Sequence, residues 1–318
     1  MKLAVLIPAF NEERTIREVI EGIPEKIDGI SRIIKIVIDD ASTDRTVEIA
    51  KESGAEVVSH RNNMGVGSAF RTGLRAALSE RADVIVNIDG DGQFNPADIP
   101  LLLQPILNKQ ADFVSASRFI DKKLTPKMPF MRKWGNRQMS RIVSFFTGQK
   151  FYDVSCGFRA YSKDTAMRLN LFGNFTYTQE TFLNLAFKNI TIAEVPVVVK
   201  GSREHGKSNI STDLFSYAWR TMRIILKTFR DYNPMRFFGL ISGICITSGV
   251  LLGLFLIIHY IRTGGFVPHK WAGFTGGFLF GIGLLVFIVG LIADMLDRIR
   301  SYQEEILYNQ KKDYHNGK

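Results

Sequence analysis

The chain has 318 residues, 46% of them hydrophobic, and a net charge of +10. That is long enough for one domain of about 200–250 residues with something added. Cys156 and Cys245 are its two cysteines, so no disulfide framework is expected. A basic balance serves nucleic acid or an anionic membrane surface; no nucleic-acid-binding motif is present, so membrane contact is favoured and a nucleic-acid partner is set aside.

Residues 3–8 read as a short apolar strand closed by Pro8, and no signal peptide is expected ahead of it. Asn11-Glu12-Glu13 opens an amphipathic helix with Ile16, Val19, Ile20 and Ile23 on one face. A second strand, 33–38, runs into Asp39-Asp40-Ala41-Ser42-Thr43-Asp44. Ser42 or Thr43 is placed to cap a helix over 45–53, with Asp44 near its positive end. Gly54 ends that helix and 56–59 is the next strand. The glycines of Asn62-Asn63-Met64-Gly65-Val66-Gly67-Ser68, before a helix over 69–78, admit two readings: backbone approach to a ligand, or close packing of helix on sheet. Strand 84–88 ends in Asp89-Gly90-Asp91-Gly92-Gln93. Pro96 suits the first turn of a helix reaching about residue 108, and 113–115 is a fifth strand. This alternation predicts an α/β fold with a mainly parallel sheet.

Open α/β sheets take ligands outside the carboxyl ends of their strands. Pro8, Asp39 and Asp89 end three strands, so all these motifs are expected to open onto one crevice. Two carboxylates spaced i, i+2 between glycines can both turn toward one hard cation. With the Gln93 carbonyl they are oxygen ligands of the kind Mg²⁺ or Mn²⁺ takes, and such sites add substrate phosphates. For Asp89 and Asp91 alone, a solvated polar turn is the competing reading.

The second half departs from this rhythm. Residues 127–147 carry Lys127, Arg132, Lys133, Arg137 and Arg141 with no acidic residue, interleaved with Phe130, Met131, Trp134, Phe145 and Phe146. That composition predicts an interfacial helix, and its five cations supply up to ~5 kcal/mol of attraction to an anionic leaflet. A similar helix over 211–233 has Leu214, Phe215, Trp219, Met222, Ile225 and Leu226 against Arg220, Arg223, Lys227 and Arg230. Residues 237–261 and 271–293 contain no Asp, Glu, Lys or Arg. A 25-residue helix spans about 37 Å against about 30 Å of hydrocarbon, so each segment can cross a bilayer. Basic residues outside both ends predict a cytoplasmic N-terminal domain and cytoplasmic termini, with loop 262–270 outside. Gly239/Gly243, Gly249/Gly253 and Gly273/Gly277/Gly281 suit close helix packing in lipid, and homo-oligomers through these spans are allowed. The expected domains are 1–210, a juxtamembrane helix 211–233, two spans within 234–294, and a charged helical tail 295–318.

Three motifs, Ile7-Pro8-Ala9-Phe10-Asn11-Glu12-Glu13, Asp39-Asp40-Ala41-Ser42-Thr43-Asp44 and Asp89-Gly90-Asp91-Gly92-Gln93, stand in the order and spacing of family 2 glycosyltransferases of the GT-A fold. The resemblance continues through Ser117-Arg118-Phe119, Asp153-Val154-Ser155-Cys156-Gly157-Phe158-Arg159 and Gln179-Glu180. With the apolar C-terminal segments it narrows to polyisoprenyl-phosphate glycosyltransferases, such as dolichyl-phosphate mannose synthases and bactoprenol glucosyltransferases. It covers roughly residues 1–230 by motif and the remainder by hydropathy.

The resemblance implies an inverting, metal-dependent transfer of a hexose from a UDP- or GDP-linked sugar to dolichyl or undecaprenyl phosphate. Pro8, Phe10, Glu12, Asp39 and Asp89 would line the nucleotide site, with Asp39 on the base. Asp89, Asp91 and Gln93 would hold the metal. Arg118, Arg132 and Asn136 match positions that meet the acceptor phosphate. Asp153 matches the residue usually proposed as base; from its chemistry it is an orienter or a base. Lys207, in Arg203-Glu204-His205-Gly206-Lys207-Ser208, would reach the donor phosphates, although mannose synthases more often read Gly-x-Ser-Lys there. A processive synthase would need a Gln-x-x-Arg-Trp stretch and more spans, which this sequence lacks. A transferase acting on diacylglycerol, or a non-catalytic membrane scaffold, are the remaining alternatives.

Overall fold

The computed structural model describes residues 1–126, 128–171, 177–200 and 214–316. β1 (Lys2–Ala9), α1 (Ile16–Glu21), β2 (Arg32–Asp39), α2 (Thr46–Glu52), β3 (Glu56–Ser59), α3 (Val66–Ser79) and β4 (Val84–Asn87) alternate as expected. The chain continues through α4 (Ile99–Leu107), β5 (Phe113–Ser117), α5 (Phe130–Thr147), β6 (Arg159–Ser162), α6 (Lys163–Arg168), α7 (Thr178–Phe187) and β7 (Ile192–Pro196). It ends with α8 (Leu214–Tyr232), α9 (Pro234–Thr263) and α10 (Lys270–Asn316).

The strands form one mainly parallel sheet in the order β3-β2-β1-β4-β6-β5-β7, in which β6 runs against β4 and β5. Helices cover both faces, which is why the strands read as near-continuous apolar runs. Leu3, Val5 and Ile7 of β1 pack with Ile16, Val19 and Ile20 of α1 and with Leu102, Leu103 and Ile106 of α4. The alternate residues Ala4 and Leu6 pack with Phe70, Leu74 and Ala77 of α3 and with Phe182 of α7. A Cβ on Gly73 would lie 2.8 Å from Ile38 Cδ1 and 3.1 Å from Leu6 Cδ1. The loop before α3 is held by Asp40, which accepts the N–H groups of Met64 at 2.8 Å and Gly65 at 2.7 Å. Gly65 in that loop takes φ 86°, a conformation that favours glycine.

Two expectations about helix starts are corrected. The cap at Ser42 or Thr43 does not form: α2 begins at Thr46, and Asp44 Oδ1 accepts the Thr46 N–H at 3.0 Å. Ser42 Oγ instead accepts the N–H of Asn11 at 2.9 Å. α1 begins at Ile16 rather than at Asn11, because Asn11 takes a left-handed φ of 56° that a helix cannot contain.

The chain divides into two compact units, Met1–Ile225 with Leu307–Lys318, and Leu226–Ile306. In the first, the last turns of α10 lie on α6. The Tyr308 hydroxyl donates to Asp164, and the Arg168 guanidinium stands 4.1 Å from the centroid of the Tyr308 ring. Lys311 Nζ donates to Met167 O at 3.0 Å and to Asn170 Oδ1 at 3.2 Å. The expected charged tail is thus the end of one long helix, and its last turns belong to the first unit.

In the second unit, α9 and α10 are each long and apolar enough to cross a membrane, each containing an 18-residue stretch whose mean hydropathy is 2.4 in α9 and 2.5 in α10. They meet through Gly249, Gly273, Gly276, Gly283 and Gly290. A Cβ on Gly276 would stand 2.9 Å from Gly249 O, and one on Gly283 2.6 Å from Ile246 Cγ1. Gly276, Gly283 and Gly290 repeat every seven residues, the period that keeps one seam on a neighbouring helix. Cβ atoms on Gly239, Gly243, Gly253, Gly277 and Gly281 would meet nothing within 4 Å. The four-residue patterns in the sequence therefore fall only partly on the contact. Gly276→Leu is expected to destabilise this unit by about 1–3 kcal/mol, as overpacking does, and Gly277→Leu far less. Thermal unfolding of the two variants in detergent checks the difference, and equal loss would refute the seam.

Candidate active site

Strand register builds one half of the site. β1 pairs in parallel with β2, matching Ala9 with Asp39, and with β4, matching Leu6 with Asn87. The pairing continues past β4, where the N–H of Gly90 donates to Pro8 O at 3.2 Å. The ends at Pro8, Asp39 and Asp89 therefore lie side by side at the point where strand order reverses. The two loops leaving β1 and β2 are tied together residue by residue. Asn11 Oδ1 accepts the Thr43 N–H at 2.8 Å, Thr46 Oγ1 accepts the Glu12 N–H at 2.8 Å, and Glu13 Oε2 accepts the Arg45 N–H at 3.2 Å. Asp39 is buried and its Oδ1 accepts the Ser42 N–H at 3.0 Å. Pro8 is buried in this edge, and Phe10 and Glu12 are half-buried beside it.

The turn after β4 is held from two sides. Thr15 Oγ1 donates to Gly90 O at 2.8 Å, and buried Asp91 accepts the Gln93 N–H through Oδ1 at 3.1 Å. Gly92 has φ 69°, a conformation that favours glycine. Asp89 lies against Gly157: a Cβ there would stand 2.6 Å from Asp89 Oδ2. Among the described residues no three His, Cys, Asp or Glu side chains gather as a complete metal cage. Two carboxylates and an amide oxygen nevertheless fit a hard divalent ion whose other positions go to phosphate and water.

The other half centres on Asp153, which has no exposed surface. Its Oδ2 accepts Arg118 Nε at 2.6 Å and the Arg118 N–H at 3.1 Å, while Oδ1 accepts Arg118 Nη2 at 2.8 Å and Ser155 Oγ at 3.0 Å. Burial alone would raise the Asp153 carboxyl, but the charge and hydrogen bonds of Arg118 bring it below its ordinary value. A carboxylate so held is a weak base and a firm anchor. Behind it, Glu194 accepts the N–H groups of Tyr152 and Asp153, each at 2.8 Å, and burial pushes its own carboxyl up. Cys156 in the same loop is pushed up to about 12 by burial and by the Asp153 charge, so its thiol is inert.

Helix α5 reaches this loop along one stripe. Ser140 Oγ donates to Tyr152 O at 3.0 Å, and Ser144 Oγ accepts the Phe151 N–H at 2.9 Å. Arg132 and Asn136 lie on that stripe, one and two turns before Ser140 in reverse order, and both are half-buried. On its other side α5 exposes Phe130 (76%), Met131, Trp134 and Phe145 (81%). Lys207 lies outside the described residues.

Several contributors were not singled out from sequence. Ser140 and Ser144 were readable as an i, i+4 extension of Arg132 and Asn136. Glu194 was readable as a charge inside an apolar strand. Gly157 and Thr15 gave no local signal, because each acts on a residue distant in the chain.

Residues 4–169 match the model of Glycosyl transferase family 2. The chain belongs to glycosyl transferase family 2. It is 34% identical over 214 residues to the UDP-N-acetylglucosamine–dolichyl-phosphate N-acetylglucosaminyltransferase of Methanococcus voltae, covering 61% of this chain and 83% of that protein. It is 26% identical over 328 aligned residues to the undecaprenyl-phosphate 4-deoxy-4-formamido-L-arabinose transferase of Pseudomonas paraeruginosa, covering 96% of this chain and 90% of that one. Among solved structures, glucosyl-3-phosphoglycerate synthase from Mycobacterium tuberculosis has a TM-score of 0.56 at 24% identity, over 72% of this chain and 79% of that chain. That structure, which holds Mn²⁺, UDP-glucose and phosphoglyceric acid, supports the shared GT-A fold. A family 2 glycosyltransferase domain thus occupies the first part of the chain.

Gly157→Ala gives a direct test of the Asp89 contact. The added methyl must displace the Asp89 carboxylate or the loop, so metal-dependent nucleotide binding should weaken about tenfold or more, the scale of one lost charged contact. Calorimetric titration with UDP or GDP in the presence of Mn²⁺ measures it; unchanged affinity would remove Asp89 from the site.

Proposed function

We propose that this family 2 glycosyltransferase moves a hexose from a UDP- or GDP-linked donor to a polyisoprenyl phosphate, dolichyl or undecaprenyl, at the cytoplasmic face of a membrane. The observation that carries the reading is the pairing of a carboxylate turn at Asp89 and Asp91 with an arginine centre at Arg118. Helix α5, with its exposed aromatic and basic residues, adjoins the arginine side. The relatives named for dolichyl and undecaprenyl phosphate support the acceptor class, and the two apolar helices support its location.

The nucleotide lies along the ends of β1 and β2, against Pro8, Phe10 and Glu12, with Asp39 on the base. Asp91, with Asp89 and Gln93, holds Mg²⁺ or Mn²⁺, which when bound offsets the charge of the leaving diphosphate. Without a counter-charge these carboxylates would repel the donor they face. Lys207 adds a positive charge to the donor phosphates. The acceptor needs little activation, because a phosphate monoester with a second pKa near ~6 is mostly dianionic at neutral pH. Its oxygen attacks the anomeric carbon from the face opposite the nucleotide, the new C–O bond forms, and the bond to the diphosphate breaks with inversion. Arg118, Arg132 and Asn136 bring that dianion up to an otherwise anionic site, guanidinium forks suiting phosphate oxygens. Asp153 orients Arg118 rather than removing a proton.

Purified protein incubated with polyprenyl phosphate, Mn²⁺ or Mg²⁺ and a panel of labelled nucleotide sugars should make a lipid-linked sugar with at least one donor. Chelation should abolish the product and Asp91→Ala should remove metal-dependent nucleotide binding. Arg132→Ala should weaken acceptor use about tenfold or more, the order expected for one charged phosphate contact, with nucleotide affinity retained. No product with any donor, from protein that binds nucleotide, would overturn the assignment.

A further inference from the structure

We propose that Glu194 is a positioning residue for the acceptor half of the site, fixing the backbone that carries Asp153 and, through Asp153, the guanidinium of Arg118. This rests on the reading that Arg118 meets the acceptor phosphate.

The segment between α5 and β6 has no helix or strand of its own to satisfy its backbone, so its buried N–H and C=O groups need partners from elsewhere. The structure supplies them from three elements. From α5, Ser144 takes the N–H of Phe151 at 2.9 Å and Ser140 that of Val154 at 3.3 Å. From β6, fully buried Arg159 donates through Nε to Cys156 O at 2.7 Å and through Nη2 to Val154 O at 3.1 Å. From β7, Glu194 takes two successive N–H groups, Tyr152 on Oε2 and Asp153 on Oε1. β7 pairs with β5 so that Glu194 stands opposite Ser115, two residues before the end of the strand that leads into Arg118. Glu194 thereby ties the Asp153 backbone to the same strand pair from which Arg118 emerges.

The serines and Arg159 hold the segment on either side of Asp153, whereas Glu194 holds the N–H of Asp153 itself. An ionised carboxylate suits this task because both its oxygens accept and both can face N–H donors at once. An amide of the same shape accepts on one side only, and its own N–H₂ then faces a backbone N–H. Glu194→Gln therefore leaves the segment attached at its other anchors and frees Asp153 to shift.

The test compares full-length wild type, Glu194→Gln, Asp153→Asn and the double variant. Each is assayed with polyprenyl phosphate and the nucleotide sugar that wild type uses. In Glu194→Gln the acceptor KM should rise and kcat/KM for acceptor fall on the order of tenfold to a hundredfold, the usual scale for partners one contact removed from a ligand-binding group. The Kd for nucleotide with Mn²⁺ should stay within about twofold, a change of less than half a kcal/mol. Because Glu194 acts through Asp153, adding Glu194→Gln to Asp153→Asn should change little further. A fall in kcat alone, in proportion to lost folded protein and with both KM values unchanged, would reduce Glu194 to a structural role and overturn the proposal. So would additive losses in the double variant. If the Gln variant does not fold, Glu194→Asp keeps the charge on a shorter arm, and a wild-type acceptor KM there would also overturn it. A wild type inactive with every donor would instead overturn the function reading on which this one rests.

Discussion

A carboxylate with no exposed surface must be matched at once by opposite charge and by donors, and Asp153 sets that demand at the centre of the catalytic unit. Arg118 meets it with two side-chain donors and its own backbone N–H, and Ser155 adds a third side-chain donor. The pair is costly to separate, since either partner alone would be left a poorly solvated charge. The consequence is geometric: the guanidinium is held with little freedom, at the end of β5, before any substrate arrives. In the proposed reaction a preformed cation suits the dianionic acceptor, because no side chain then has to be ordered when it binds.

The proposed donor half depends on register instead of charge pairing. β1 sits between β2 and β4, so that parallel pairing on both sides carries Asp39 and the Asp89 turn to the same edge as Pro8. A slip of one residue in either pairing would send these side chains to the opposite face of the sheet. The alternating clusters prevent it: Leu3, Val5 and Ile7 fill one core and Ala4 and Leu6 the other. The hydrophobic pattern of β1 and the placement of the carboxylates are thus one constraint.

This explains which parts were legible in the sequence. Near-continuous apolar runs, the helices alternating with them and the punctuation after them predicted the first five strands, their parallel arrangement and the shared edge, whereas β6 and β7 were not read from the sequence. The helix starts at Ser42 and Asn11 were misplaced because their polar groups are used between loops, Ser42 on Asn11 and Asn11 on Thr43, rather than within one turn. The seam between α9 and α10 was misread for a related reason. Sequence shows which glycines are spaced by four, but which face meets a partner depends on rotation of both helices, and contact follows Gly276, Gly283 and Gly290. Glu194, Ser140 and Gly157 matter through residues 12 to 68 positions away, Ser140 to Tyr152 and Gly157 to Asp89 being the extremes among these pairs. Ser140 and Glu194 carry a local signal as residues, but no local pattern names the distant partner that each of the three meets.

The same segment reaches both halves of the site. Asp153 at one end anchors Arg118, and Gly157 at the other lies against Asp89, where any side chain would collide. Four residues fully extended cover at most about 14 Å, so the arginine centre and the carboxylate turn cannot drift apart without tearing this segment from its anchors. Asn87, just before the turn, adds a further tie by donating to Gly157 O at 2.9 Å. In the proposed reaction an anionic acceptor must approach an anionic donor to bonding distance, which repulsion opposes until cations on each side are in place. A short segment anchored by hydrogen bonds at Asp153, Val154, Cys156 and Gly157 spans the two centres and fixes their separation in the fold itself. Arg159 strengthens that tie: its guanidinium is enclosed by Phe113, Tyr177 and Phe182 at 5.0–5.7 Å from their centroids, yet spends its donors on Val154 and Cys156 carbonyls within the segment. A buried cation serving backbone carbonyls, with a carboxylate serving backbone N–H groups from the opposite strand, fixes a loop that has no regular structure of its own.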